Sequence, residues 1–140
     1  MMDVLTRLSA EHDTLRTHLE RIESAAQARD AATLFARLEA ARVALMSELD
    51  AHIAVEETEA FTTIAQTLGD DLVAPFYDDH VEIRALRDEL YLRLAQGQPP
   101  YELSLRLCEL ILAHQQREDL MLFPSARTAI RHDDSGLGEA

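Results

Sequence analysis

The apolar residues that open the chain, Leu5, Leu8, Leu15, Leu19 and Ile22, recur at three- and four-residue steps, and the seam position they skip is His12. That spacing predicts an amphipathic helix over about residues 4–28, with Asp3 as its cap and a titratable side chain in a core slot. The same substitution recurs later. In the stripe Val73, Phe76, His80, Ile83, Leu90 and Leu94, a histidine again takes a core position. The flanking residues also match, as EHDTLR around His12 and DHVEIR around His80.

Between and after these stripes lies a second repeat. DAHIAVEETEAF sets His52 four residues before Glu56, follows with the acid Glu57 and ends on Phe61. LAHQQREDLMLFP sets His114 four before Glu118, follows with Asp119 and reaches Phe123 and Pro124. Residues four apart on a helix project side by side about one turn apart, so a His–Glu pair at this spacing can reach one metal ion.

The remaining signals divide the chain into helices joined by short loops. Asp30 or Thr33 can cap a second helix with the stripe Leu34, Leu38, Ala41, Leu45 and Leu49, running into His52 and Glu56 and ending near Gly69. A third helix starts at Asp70 or Asp71, tolerates Pro75 near its first turn, and ends at Gly97 before Pro99 and Pro100. A fourth buries Leu103, Leu107 and Leu110, then presents His114, Glu118 and Met121, with Pro124 breaking or kinking it ahead of a short extra turn over 125–130. The expected fold is all-α, an antiparallel up-down-up-down four-helix bundle over residues 1–131, with 132–140 as a flexible tail.

In such a bundle His12, His52, Glu56, His80, His114 and Glu118 project inward from four helices. Any one of them is explained by a core histidine paired with a glutamate. All six, on four seams and in two matching halves, are explained more simply by bound metal, because buried polar groups are costly when unpaired. Four imidazoles and two carboxylates suit two divalent transition metals, with two His and one carboxylate per ion and positions left for a bridging oxide, hydroxide or water and an exogenous ligand. The donor set suits iron, zinc or manganese.

Composition narrows the function classes. The chain has 140 residues, 47% of them hydrophobic, enough for one domain with a real core. A net charge of −13 gives nucleic-acid binding no electrostatic footing. The lone Cys108 excludes an intramolecular disulfide and multi-cysteine zinc or iron–sulfur sites. There is no apolar run of membrane-spanning length and no signal-peptide pattern, so the expectation is a soluble cytoplasmic protein without membrane or nucleic-acid partners. Glu-x-x-His, His-Glu-x-x-His, Gly-x-Ser-x-Gly and phosphate-binding glycine loops are absent. His18 and His132, off the stripes and in the tail, read as solvated, as do the acids Glu11 and Asp79 beside the seam histidines.

With these residues in view, the sequence resembles the haemerythrin-like, HHE cation-binding family. The family pattern is a His on helix 1, His-x-x-x-Glu on helix 2, a His on helix 3 and His-x-x-x-Glu ahead of Phe-Pro on helix 4, matched here by His12, His52 with Glu56, His80, and His114 with Glu118 before Phe123 and Pro124. The resemblance spans residues 5–125 and implies a non-haem di-iron centre, two Fe ions with an oxo or hydroxo bridge. Oxygen-carrying members have two histidines four apart on helix 3; here Phe76 and Arg84 flank His80 at that distance, which points away from simple reversible oxygen carriage. Tyr77 is a candidate to offer its phenol to the site, and Glu57 and Asp119 to orient a histidine from behind it. The expected function is binding of, or reaction with, oxygen, peroxide or nitric oxide. Peroxide disproportionation by an oxidoreductase and a metal-dependent iron sensor or store are the alternatives.

Overall fold

A computed structural model describes residues 2–129 of the chain, and it is helical throughout, with no strand among the described residues. Four long helices build it. α1 is Met2–Gln27; α2 covers residues 31–68; α3 is Asp70–Ala95; α4 covers residues 101–129. The connections are short, so each helix turns back beside the one before it, and α4 closes the square against α1. Arg29, just after α1, pairs with Glu102 at the start of α4 at 2.9 Å, as it can only where those two helices run antiparallel. No helix among the described residues is long and apolar enough to cross a membrane.

The helix ends follow from their residues. Asp30 caps α2, its carboxylate accepting the Thr33 backbone N–H at 3.1 Å and the Thr33 hydroxyl at 2.8 Å. Gly69 alone joins α2 to α3, at φ 97° and ψ 155°, a conformation open only to glycine, although nothing lies near enough to exclude a side chain on steric grounds. α1 already runs as helix at Asp3, so that residue lies within the first turn rather than at the cap. Pro124 does not end α4, which continues to residue 129. The expected tail over 132–140 lies outside the described residues.

Three π turns interrupt the regular helices, at Ala44–Glu48 and Glu56–Ala60 in α2 and at Glu118–Leu122 in α4. Periodicity at 3.6 residues does not foresee them, and they shift what faces inward. Beyond the turn at Glu118 the inward residues are Leu122 and Phe123, while Met121 is 65% exposed, against expectation. Upstream, the fully inward positions of α4 are Ser104, Leu107, Cys108 and Ile111, with Leu103 and Leu110 only half-buried. Carbonyls freed by the wider turns find side-chain donors. Leu49 N–H reaches Ala44, and buried Arg87 donates to the Leu45 carbonyl at 3.3 Å while its charge is met by Asp50 at 2.6 Å.

The core is divided. One apolar cluster includes Leu15, Leu19, Ile53, Ile83 and Ile111; a smaller one holds Leu5, Leu8, Phe61, Phe76, Leu122 and Phe123. On every helix the boundary between the clusters falls at the same kind of residue. His12 stands between Leu8 and Leu15, Glu56 between Ile53 and Ala60, His80 between Phe76 and Ile83, and His114 with Glu118 between Ile111 and Leu122. A single polar layer crosses the bundle there.

Candidate metal centre

All six inward residues read from the sequence meet in that layer. His12, Glu56, His80, His114 and Glu118 are at most 4% exposed, and the His52 side chain is 10% exposed. Their donor atoms form two groups of four, His12–His52–Glu56–Glu118 and Glu56–His80–His114–Glu118, and within each group the atoms lie within 4.8 Å of one another. The two groups share Glu56 and Glu118. The paired rings of each group have centroids 4.9 Å apart, His12 with His52 and His80 with His114.

Each imidazole is held in one orientation from behind. The Nδ1–H groups of His52, His80 and His114 donate to Glu11 at 2.8 Å, Glu57 at 2.8 Å and Asp79 at 2.9 Å. That of His12 is shared between both oxygens of Asp119 at 3.0 Å. A carboxylate only accepts, so each Nδ1 carries a proton, and a neutral imidazole held this way presents its Nε2 lone pair to the centre, the tautomer a metal requires. From the sequence, solvated surface is the commoner reading of all four acids, with Glu57 and Asp119 the candidates for this arrangement; in the structure all four are half-buried, and each braces a histidine of the adjoining helix. His18, expected to be solvated, is half-buried, and His132 lies outside the described residues.

Tyr77 points elsewhere. Phe61 N–H closes the π turn onto Glu56, leaving the Glu57 carbonyl without its usual partner; the Tyr77 hydroxyl donates to it at 3.3 Å and the Thr62 hydroxyl at 2.9 Å. Its phenol therefore props the turn that carries Glu56. The two phenylalanines of the repeat acquire a role as well. Each closes the π turn begun by a glutamate, Phe61 onto Glu56 and Phe123 onto Glu118, and each stacks on a histidine of another helix, His80 at 5.4 Å and His12 at 6.0 Å. π turns occur often at functional sites. The sequence signal for these was the nine-residue interval from His to Phe, present in both halves.

The centre of the layer is short of donors. Each Nε2 faces a carboxylate oxygen: His12 to Glu118 at 3.1 Å, His52 to Glu56 at 3.3 Å, His80 to Glu56 at 3.0 Å and His114 to Glu118 at 3.3 Å. The His80–Glu56 contact is a hydrogen bond, whereas His12 Nε2, His114 Nε2, Glu56 Oε2 and both oxygens of Glu118 make none. Lone pairs facing one another at such distances need a proton or a cation between them. Protons compete for these positions. Burial and the charge of Glu56 push Glu118 well above the usual carboxylate range. Burial acts the same way on Glu56, yet the Glu118 carboxyl and the imidazoles of His114, His52 and His80 around it outweigh burial and hold Glu56 well below that range. Burial also opposes charge on His12 and His52, and their carboxylate partners more than reverse it. Cations fit the same place: buried imidazole and carboxylate donors, convergent, unsatisfied and shared between two groups, match divalent transition metals.

A model of the hemerythrin HHE cation-binding domain matches residues 3–126. Neither the curated proteins nor the solved structures hold a match to this chain.

Proposed function

The chain belongs to the hemerythrin HHE cation-binding family, and from that premise we propose that it holds two iron ions in its polar layer and binds or reacts with oxygen, peroxide or nitric oxide. His12 and His52 would serve one ion and His80 and His114 the other, with Glu56 and Glu118 spanning both. The observation that carries this reading is the pair of four-donor groups sharing two buried carboxylates. Two histidines with carboxylate oxygens and an open position form a donor set typical of non-haem iron.

When bound, the metal pair would supply a redox-active centre with room for one small ligand. The chain does the rest. Glu11, Glu57, Asp79 and Asp119 keep the four Nε2 atoms inward. A proton held on Glu118 in the empty layer would leave as a cation took its place, so loading would release acid. The apolar clusters on either side keep bulk water from the layer, as the chemistry of such a centre requires.

The test is metal content per chain on protein purified without a metal-affinity tag, together with its absorption spectrum. About two irons per chain with bridge-type absorption are expected, and the spectrum should then respond to oxygen, peroxide or nitric oxide added separately. Folded protein that takes up no metal on reconstitution would refute the proposal, and zinc alone, with iron refused, would refute its redox part.

A further inference from the structure

Gln115 follows His114 on α4, is 3% exposed, and leaves its Oε1 without a hydrogen-bond partner. Buried amide oxygens are seldom left so, because the lost hydration is not replaced. The residue borders two cavities. One is a void of about 10 Å³ against the polar layer, room for roughly one water-sized group. The other, of about 310 Å³, lies between α1, α2 and α4, where Thr14 and Glu48 line it and are exposed. Leu49, His52 and Gln115 form wall in both. Beyond five of the six inward groups, Glu118 excepted, the void is lined by Leu49, Ile53, Ile83, Ile111 and Gln115. Gln115 is thus the one polar side chain there that is not a candidate metal donor.

We propose that the larger cavity is the entrance by which a small exogenous ligand, a diatomic molecule or a small anion, reaches the metal pair, and that Gln115 hydrogen-bonds this ligand in the inner void. The proposal rests on the metal reading above and adds the route and the recognising residue. An amide offers an acceptor at one end and two donors at the other, so rotation of its terminal group serves either a protonated ligand or an anion. The aliphatic wall around it accepts a small ligand and offers nothing to bulk water.

Azide is the probe, titrated by absorption into iron-loaded wild type, Gln115→Leu, Gln115→Met and Thr14→Trp, with iron content measured before azide is added. Wild type without iron overturns the metal reading itself, and that is seen at this first step. With iron present, both Gln115 variants should keep their metal and bind azide about five- to tenfold more weakly, the loss of one hydrogen bond. Thr14→Trp, at the exposed mouth, should slow association several-fold and leave the equilibrium affinity unchanged. Unchanged affinity in the Gln115 variants, loss of their iron, or an unchanged association rate in Thr14→Trp overturns the inference.

Discussion

Glu11 and His52 stand on different helices, and the carboxylate of the first accepts the Nδ1–H of the second at 2.8 Å. The relationship repeats around the bundle. Glu11 of α1 serves His52 of α2, Glu57 of α2 serves His80 of α3, Asp79 of α3 serves His114 of α4, and Asp119 of α4 serves His12 of α1. Each of these acids is the immediate chain neighbour of an inward residue of its own helix. One helix turn therefore supplies both an inward donor and the brace for the next helix, and the four braces close a ring. Orientation of the imidazoles depends on helix pairing, so the site assembles only with the fold.

Removing one brace should cost metal rather than fold. Glu11 is partly exposed, and its ion pair with Arg7 is a surface contact at 3.2 Å, of a kind that contributes little to stability. Glu11→Ala frees the His52 ring and should weaken metal binding by roughly 10–100-fold. Arg7→Ala should leave it unchanged. Competition titration against a chelator of known affinity measures both. Equal affinity in Glu11→Ala and wild type would show that His52 needs no brace.

Tyr77→Phe separates two uses of a phenol. The ring packs edge-on against Phe61 at 5.2 Å, and phenylalanine keeps that contact. Only the hydroxyl bond to the Glu57 carbonyl is lost, at a cost of about 0.5–1.5 kcal/mol. For a chain of this size that corresponds to a fall in Tm of about 2–5 °C. Metal content should not change. Metal loss from Tyr77→Phe at unaltered Tm would instead make the phenol a ligand.

The seam histidines were legible because a periodicity of 3.6 residues names the slots that must be buried, and His12 and His80 occupy two of them. The paired His and Glu were legible because i and i+4 share a helix face. What periodicity cannot carry is a change of period. The π turn at Glu118 slips the phase of α4, so Leu122 rather than Met121 enters the core, and it lets Asp119 reach His12 beside an inward Glu118. The braces were obscure for another reason. An acid next to a buried histidine looks like a solvated neighbour, and its partner is on a helix 23 to 107 positions away in the chain. Phe61 and Phe123 were visible as a repeat, but their stacking on His80 and His12 exists only once the helices meet.

Cys108 should be chemically silent in the folded protein. Burial, aided by the charge of Glu23, pushes its thiol up to about 12, and its S–H donates to the Leu19 carbonyl at 3.4 Å. An unfolded thiol ionises near 8.5. The folded value is the higher one, so this contribution to stability is complete below the unfolded value and is lost as pH rises toward about 12. Iodoacetamide at pH 8 should leave native protein unmodified and alkylate it fully in denaturant, as read by mass spectrometry. Rapid labelling of the native chain would contradict the packing around α1 and α4.

Chelation should weaken the fold at its polar layer first. The two apolar clusters meet across a layer in which five inner atoms of His12, His114, Glu56 and Glu118 have no hydrogen-bond partner, so metal is the natural partner for surfaces that folding has already desolvated. A ligand present at 100 to 1,000 times its Kd adds about 2.7–4.1 kcal/mol to stability. Its removal should lower Tm by roughly 5–15 °C in a domain of this size. Loss of hydrogen-exchange protection should concentrate in the smaller cluster, around Leu5, Phe61, Phe76 and Phe123, which has fewer apolar residues to hold it than its counterpart beyond the layer. Calorimetry and exchange on the same sample, before and after verified removal of metal, measure both effects. A Tm that does not move would mean that protons satisfy the layer as well as cations do, and the case for metal as a structural element of this bundle would fall.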